Sequence, residues 1–252
     1  MSTTSGMRSI AVAAALAWAP VAALAGEAVT YDVGGESFEG YRADAPGASK
    51  GLVLVIHDWD GLDDYEKKRA DMLADMGYDA FAVDLYGKGN RPADTGAKKA
   101  ATAALYEDRA RMRSLILGGL AKARNDGDQE VVVMGYCFGG AAVLELARSG
   151  KAVYIAGYAT FHGGLTTPQG QSYPSDTPPI LVMHGGADSS ITMDDVAALS
   201  RELESAGVPY EIQVYSGAPH AFTNWDSERY RKQADEQSWD AFSDFLATNL
   251  SE

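Results

Sequence analysis

The chain has 252 residues, 46% hydrophobic and 22% charged, which suits one globular domain with a large core and not a disordered or fibrous protein. Its 35 acidic and 21 basic residues leave a formal charge of −14, against the clustered lysine and arginine that nucleic-acid backbones and anionic membrane surfaces require. With a single cysteine, Cys137, no intramolecular disulfide can form.

The first segment differs from the rest. Arg8 precedes an apolar run from Ile10 to Leu24 that contains Pro20 and is shorter than the roughly 20 residues a membrane helix needs. Ala23-Leu24-Ala25 places small residues where a signal peptidase reads, so residues 1–25 are expected to be a cleavable signal peptide. Loss of Arg8 then takes the formal charge from −14 to −15. The expected product is a single domain over 26–252, periplasmic or secreted and without a stable membrane anchor. A thiol kept in such an oxidising compartment points either to deep burial or to use of its reactivity.

Val29–Val33 and Ser37–Arg42 alternate apolar and polar residues around Gly34-Gly35, predicting an edge hairpin. Leu52–Ile56 is an unbroken apolar run of the kind found in a strand covered on both faces. A helix is predicted from Asp64 to Met76, stopping at Gly77, and a strand from Tyr78 to Tyr86. A Gly- and Pro-rich loop, 87–96, leads to one long helix over Ala97–Arg124. A strand over Glu130–Met134 and a helix over Phe138–Arg148 follow. Further strands are predicted at Val153–Tyr158, Ile180–Met183 and Tyr210–Tyr215, with a helix at Met193–Ala206. A final helix from about Ser227 to Leu250 turns Trp239, Phe242, Phe245 and Leu246 inward. Strands alternating with helices predict an α/β fold: a doubly wound, mainly parallel sheet with helices on both faces and function at the strands' carboxyl ends.

The turn between the Glu130–Met134 strand and its helix carries Gly135-x-Cys137-x-Gly139, the spacing of a nucleophile elbow with sulfur in place of oxygen. Asp188 lies just past the strand beginning at Ile180, and His220 just past the last strand. Nucleophile, acid, histidine is the α/β-hydrolase order, and each member follows its own strand. Taken singly, Cys137 also reads as a buried structural cysteine, Asp188 as a helix cap and His220 as a loop histidine. His57, His162 and His184 lack the spacing of metal ligands, and no phosphate-cradling glycine motif is present.

These motifs, with Asp84-Leu85-Tyr86, Phe161-His162-Gly163-Gly164 and His220-Ala221-Phe222, resemble the dienelactone hydrolases, cysteine-dependent α/β hydrolases, over nearly the whole mature chain. The resemblance implies a Cys137–His220–Asp188 triad that cleaves small carboxylic esters or lactones through a thioester, without metal or cofactor, in a monomer. It also implies an oxyanion hole from the backbone N–H groups of Phe138 and Trp59. Asp58 falls where the family has a glutamate that contacts the resting cysteine. Asn224 stands where well-studied members carry a carboxylate-gripping arginine, leaving Lys88 or Arg91 as nearby cations. Imidazole and helix N-terminus are both expected to favour the Cys137 thiolate, and Trp59, Phe138, Phe161 and Trp225 read either as an apolar acyl pocket or as plain core. A broad carboxylesterase or thioesterase, and a catalytically silent binding protein of the same fold, are the alternative readings.

Overall fold

The computed structural model describes residues 1, 26–125 and 127–250; the expected signal peptide lies outside the described residues apart from Met1. Gly34 and Gly35, at φ 61° and 85°, make the two-residue turn that joins β1 (Glu27–Val33) to β2 (Glu36–Ala43). Positive φ at both central positions matches the right-handed strand twist, so the hairpin closes in register with Val33 opposite Glu36.

β3 (Leu52–Ile56), β4 (Asp79–Val83), β5 (Val131–Tyr136), β6 (Ile155–Phe161), β7 (Ile180–Gly185) and β8 (Tyr210–Tyr215) are parallel to one another, and β2 pairs antiparallel with β4. With the antiparallel hairpin at one edge, the sheet order is β1-β2-β4-β3-β5-β6-β7-β8. Every residue of β3 and β5 is buried, as their apolar runs require. Leu52, Leu54 and Ile56 point into one core, which contains residues of α2 (Thr95–Glu107), α3 (Arg109–Arg124), α4 (Phe138–Ser149) and α5 (Met193–Ala206). Val53 and Val55 point into the other, with α1 (Asp64–Asp75) and α6 (Lys232–Asn249).

The chain places β4 on one side of β3 and β5 on the other, so the loops leaving β3 and β5 part at their carboxyl ends. That divergence opens the crevice in which doubly wound sheets place their ligands.

Several element boundaries differ from the sequence expectation, and three of them have a local cause. The long helix over 97–124 is two helices, because the Asp108 carboxylate accepts the Arg111 N–H at 2.9 Å and caps α3, with backbone at φ −113°, ψ 75°. The last helix begins at Lys232 and not near Ser227. Asn224 Oδ1 and Ser227 Oγ accept the N–H groups of Asp226 and Arg229, holding that stretch in turns. β6 starts at Ile155 because Tyr154, at φ 53°, turns the chain out of extended geometry.

Candidate active site

The turn from β5 into α4 is built by backbone contact. A Cβ on Gly135 would lie 2.4 Å from the Gly139 carbonyl, and one on Gly139 would lie 2.3 Å from the Ile56 oxygen and 2.5 Å from the His57 oxygen. Only glycine lets the helix sit against the ends of its own strand and of β3. Cys137 itself adopts φ 50°, ψ −111°, a conformation that costs a non-glycine residue about 1–3 kcal/mol and persists only where surroundings impose it. Its N–H donates to the Phe161 oxygen at 3.0 Å, and its carbonyl accepts the Ala141 N–H at 3.2 Å.

The loops after β7 and β8 are joined to each other. Gly186 N–H donates to Tyr215 O at 2.8 Å and Ala187 N–H to Ala218 O at 2.9 Å. Gly185 lets them close, since a Cβ there would meet Ala218 O at 2.4 Å. Asp188 and His220 are thereby held face to face, with His220 Nδ1 2.7 Å from Asp188 Oδ2. On its other side His220 Nε2 lies 3.1 Å from Cys137 Sγ. With an ionised acceptor at one nitrogen, Nδ1 carries the proton and Nε2 presents its lone pair to the thiol.

Asp188 does not cap α5; Thr192 does, in a capping box with Asp195. Burial alone would raise the Asp188 pKa, but the hydrogen bond from His220 and the N–H groups of Ile191 and Ser190 outweigh it and hold the value at about 2. The carboxylate is therefore ionised throughout the neutral range.

The thiol behaves differently from the sequence expectation. Burial, and then the charge of Asp58, push the Cys137 pKa up to about 12, against a smaller downward pull from the Phe138 N–H. The resting site holds a protonated thiol beside an imidazole, not a preformed thiolate. A helix N-terminus offers only a fraction of a charge, and here desolvation and nearby carboxyls exceed it.

Those carboxyls belong to the loop after β3. Asp58 Oδ1 accepts the Asp60 N–H at 3.0 Å, and the Asp58 N–H reaches Glu66 Oε1 at 3.2 Å. Glu66, fully buried, also accepts the Asp63 N–H at 3.1 Å as the return arm of the α1 capping box. Burial, with Asp60 and Glu66 close by, drives the Asp58 pKa well above the usual carboxylate range. The hydrogen bond at the sulfur is made with His220, while Asp58, when ionised, opposes a thiolate there through its charge. Trp59 anchors the same loop: its carbonyl accepts the Tyr86 hydroxyl at 3.1 Å, and Lys98 Nζ sits 5.5 Å from its ring. Phe138 is packed among His57, Tyr86 and Tyr106.

Other predicted site residues are placed elsewhere. Phe161 is fully buried in the core against Tyr136 and Phe242, and Trp225 stacks on Arg69 with its indole N–H on Asp235, so neither lines an acyl pocket beside the sulfur. The placement of Trp225 follows from Arg69, a buried cation that ion-pairs with Asp235 and is surrounded by aromatic faces. Lys88 turns to the hairpin, bonding Thr30 at 2.9 Å and Glu39 at 3.2 Å. Asn224 and Arg91 line an open cleft of about 760 Å³ with Asp60, Asp63 and Asp226. Arg91 donates there to the Leu62 carbonyl and pairs with Asp84 at 3.4 Å.

His57 links the ends of β3 and β4 by accepting the Leu85 N–H at 3.1 Å. His162 Nε2 meets Thr223 Oγ1 at 2.8 Å, and His184 is buried on β7. Among the described residues no three His, Cys, Asp or Glu side chains gather as metal ligands.

The profile of the dienelactone hydrolase family matches residues 38–250, spanning every element from β2 to α6. The chain belongs to that family. Membership makes it a dienelactone hydrolase-like carboxylic ester hydrolase. Putative carboxymethylenebutenolidases from Saccharolobus solfataricus and Aquifex aeolicus are each 28% identical to it, over 86% and 89% of this chain and 96% and 99% of theirs. A dienelactone hydrolase-like promiscuous phosphotriesterase from metagenomic libraries superposes with a TM-score of 0.81 at 28% identity, covering 89% of this chain and 98% of its own. The family match leaves out β1, the hairpin turn and the first two residues of β2.

Proposed function

We propose that this dienelactone hydrolase-like protein cleaves small carboxylic esters or lactones by acyl transfer to Cys137. The observation that carries the reading is the continuous relay from Cys137 Sγ through His220 to Asp188, mounted on a strained turn. As the sulfur attacks the carbonyl carbon, its proton passes to His220 Nε2, and Asp188 stabilises the imidazolium that forms. The carbonyl oxygen becomes an oxyanion, accepted by the N–H groups of Phe138 and Trp59. Collapse expels the alkoxide with the His220 proton and leaves a thioester. Water, deprotonated by the same nitrogen, releases the acid and restores the thiol. Because the free thiol is held protonated, deprotonation and attack proceed together once substrate is seated.

The names of the relatives support lactones among the substrates. A panel pairing each lactone with its open-chain ester measures that preference. Cys137→Ala is expected to abolish turnover of a model ester without lowering the melting temperature; full activity in that variant would sink the assignment. A thioester trapped by acid quench should add the acyl mass to the peptide holding Cys137. Export with loss of residues 1–25, leaving one domain from Gly26, belongs to the same proposal and rests on the Arg8, apolar-run and Ala23-Leu24-Ala25 pattern.

A further inference from the structure

A notch of about 230 Å³ opens beside the first turn of α4, lined by Tyr106, Arg109, Ala141, Arg148, Gly164 and Thr166. It adjoins the nucleophile. Tyr106 packs edge-on against Phe138 at 5.4 Å, and the Ala141 N–H is bonded to the Cys137 carbonyl. Under the notch lies Glu145, a fully buried carboxylate in the middle of α4. It meets Arg109 at 2.9 Å, Arg148 at 3.5 Å and Arg113, with Gln171 donating at 3.1 Å.

One carboxylate among three guanidiniums leaves two positive charges uncompensated within the cluster, in a chain whose formal charge is −14. Arg148 is held in place by Gln171 at 3.0 Å and the Tyr173 hydroxyl at 2.9 Å, and only 3% of its side chain is exposed. Arg109 uses one nitrogen on Glu145 and lies 5.2 Å from the Tyr106 ring, at the mouth of the notch. A guanidinium has five N–H donors in a fork that suits a carboxylate.

We propose that this notch is an anion subsite that binds a carboxylate carried on the substrate's acyl chain, as in a half-ester of a short dicarboxylic acid. The cations belong to α3 and α4, and none of them lines the cleft that holds Asn224. This inference rests on Cys137 being the acylated residue.

The test compares the p-nitrophenyl half-ester of glutaric acid with p-nitrophenyl valerate, a neutral ester of like length. The wild type should favour the half-ester in kcat/KM. Arg109→Gln should reduce that preference by about 10-fold or more through KM, since a charge-assisted hydrogen bond contributes about 1.5–3 kcal/mol; Arg109→Lys should restore part of it. Equal rates on the two esters in wild type, or equal losses in the variant, would overturn the subsite. Glutarate binding to Cys137→Ala, measured by calorimetry, separates this inference from the catalytic one. Binding that Arg109→Gln abolishes upholds the subsite even if no ester is turned over, and no binding at millimolar glutarate overturns it.

A second, independent observation concerns Gly26. Its nitrogen lies 2.7 Å from the Tyr41 hydroxyl and 3.2 Å from Asp71 Oδ1, and Tyr41 donates to the same carboxylate at 2.8 Å. A Cβ on residue 26 would lie 2.2 Å from the Arg42 oxygen and 2.7 Å from the Tyr41 ring, so only glycine fits. Hydrolysis of the Ala25–Gly26 bond gives the Ala25 carbonyl a hydroxyl and leaves an amine that takes up a proton at neutral pH. An ammonium has three donors and a charge opposite to Asp71 where the amide has one donor shared between two acceptors.

The geometry points to Tyr41 and Asp71 as a docking site for the α-ammonium of a processed chain beginning at Gly26. A chain starting at Gly26 should melt about 2–4 °C above one that retains Ala25, and Asp71→Asn should erase that gap. Equal melting of the two chains, or the same penalty from Asp71→Asn in both, would overturn the assignment.

Discussion

Replacing Asp188 by Asn tests the relay at the member whose role is most easily mistaken for structure. In the wild type, Oδ1 accepts two backbone N–H groups, at 2.8 and 3.0 Å, and Oδ2 accepts His220 Nδ1–H at 2.7 Å. An asparagine keeps its carbonyl oxygen on the backbone pair and so turns its NH₂ toward His220. Nδ1 must then accept, the proton moves to Nε2, and the imidazole no longer presents a lone pair to the thiol. The barrier should rise by about 4–5.5 kcal/mol, a fall of about 10³–10⁴ in kcat/KM, as expected of a triad that loses its orienting carboxylate. Stability should fall as well. The carboxyl's pKa drops from 3.8 to about 2 on folding, so ionised Asp188 contributes about 2 kcal/mol at neutral pH. A depressed carboxylate stabilises above its unfolded pKa and loses that contribution as pH falls through the folded one. The wild-type advantage over the variant should therefore be full at pH 5 and above and shrink from about pH 4 to pH 2. The assays are ester turnover and urea titration at a series of pH values. A fall in kcat/KM of less than tenfold would refute the tautomer argument, and a stability gap unchanged at pH 2 would refute the linkage.

Cys137 should react slowly with iodoacetamide. A thiol held near 12 is far less ionised at pH 7 than an ordinary cysteine near 8.5, so alkylation should run at least about 100-fold slower than for glutathione and accelerate well above pH 9. The linkage has the opposite sign to that of Asp188: a raised thiol pKa stabilises fully below the unfolded value and is lost as pH rises toward 12, so Cys137→Ala should flatten the alkaline fall in melting temperature. Gly139→Ala drives a Cβ to 2.3 Å from the Ile56 oxygen and should cost at least about 3 kcal/mol or prevent folding, read from denaturant midpoints. Phe242→Ala, under the sheet and remote from the crevice, should cost about 3–5 kcal/mol while leaving kcat/KM of the folded fraction intact.

The sheet was legible because β3, β5 and β7 are apolar runs flanked by glycine-bearing turns; Cys137 and Asp188 stood out in the loops after β5 and β7, and His220 in the loop after the more polar β8. Helix limits were less so. Asp108, Asn224 and Ser227 redirect the chain by single side-chain hydrogen bonds that periodicity does not register. The thiol's high pKa was out of reach, since it depends on burial and on Asp58 across the crevice. Phe161 and Trp225 stayed open between pocket and core because a motif places a residue beside the site without saying which way its side chain turns. The arginine cluster was missed for another reason: its pairs span 36 and 32 residues of sequence. One signal was available, a lone Glu145 inside the otherwise apolar run Ala141–Leu146, where a buried charge demands partners.

Helix α4 also bears on how this protein can change. Every residue from Phe138 to Arg148 is buried, and the elbow's glycines touch backbone that cannot yield. Laboratory evolution toward new substrates will find few tolerated positions along that helix. Productive variation should concentrate on the walls contributed by other elements, at Trp59, Tyr86, Tyr106 and Asn224, where side chains can be exchanged without moving the sulfur. The reactive centre is the conserved chassis of any such library, and the loops around it are its variable part.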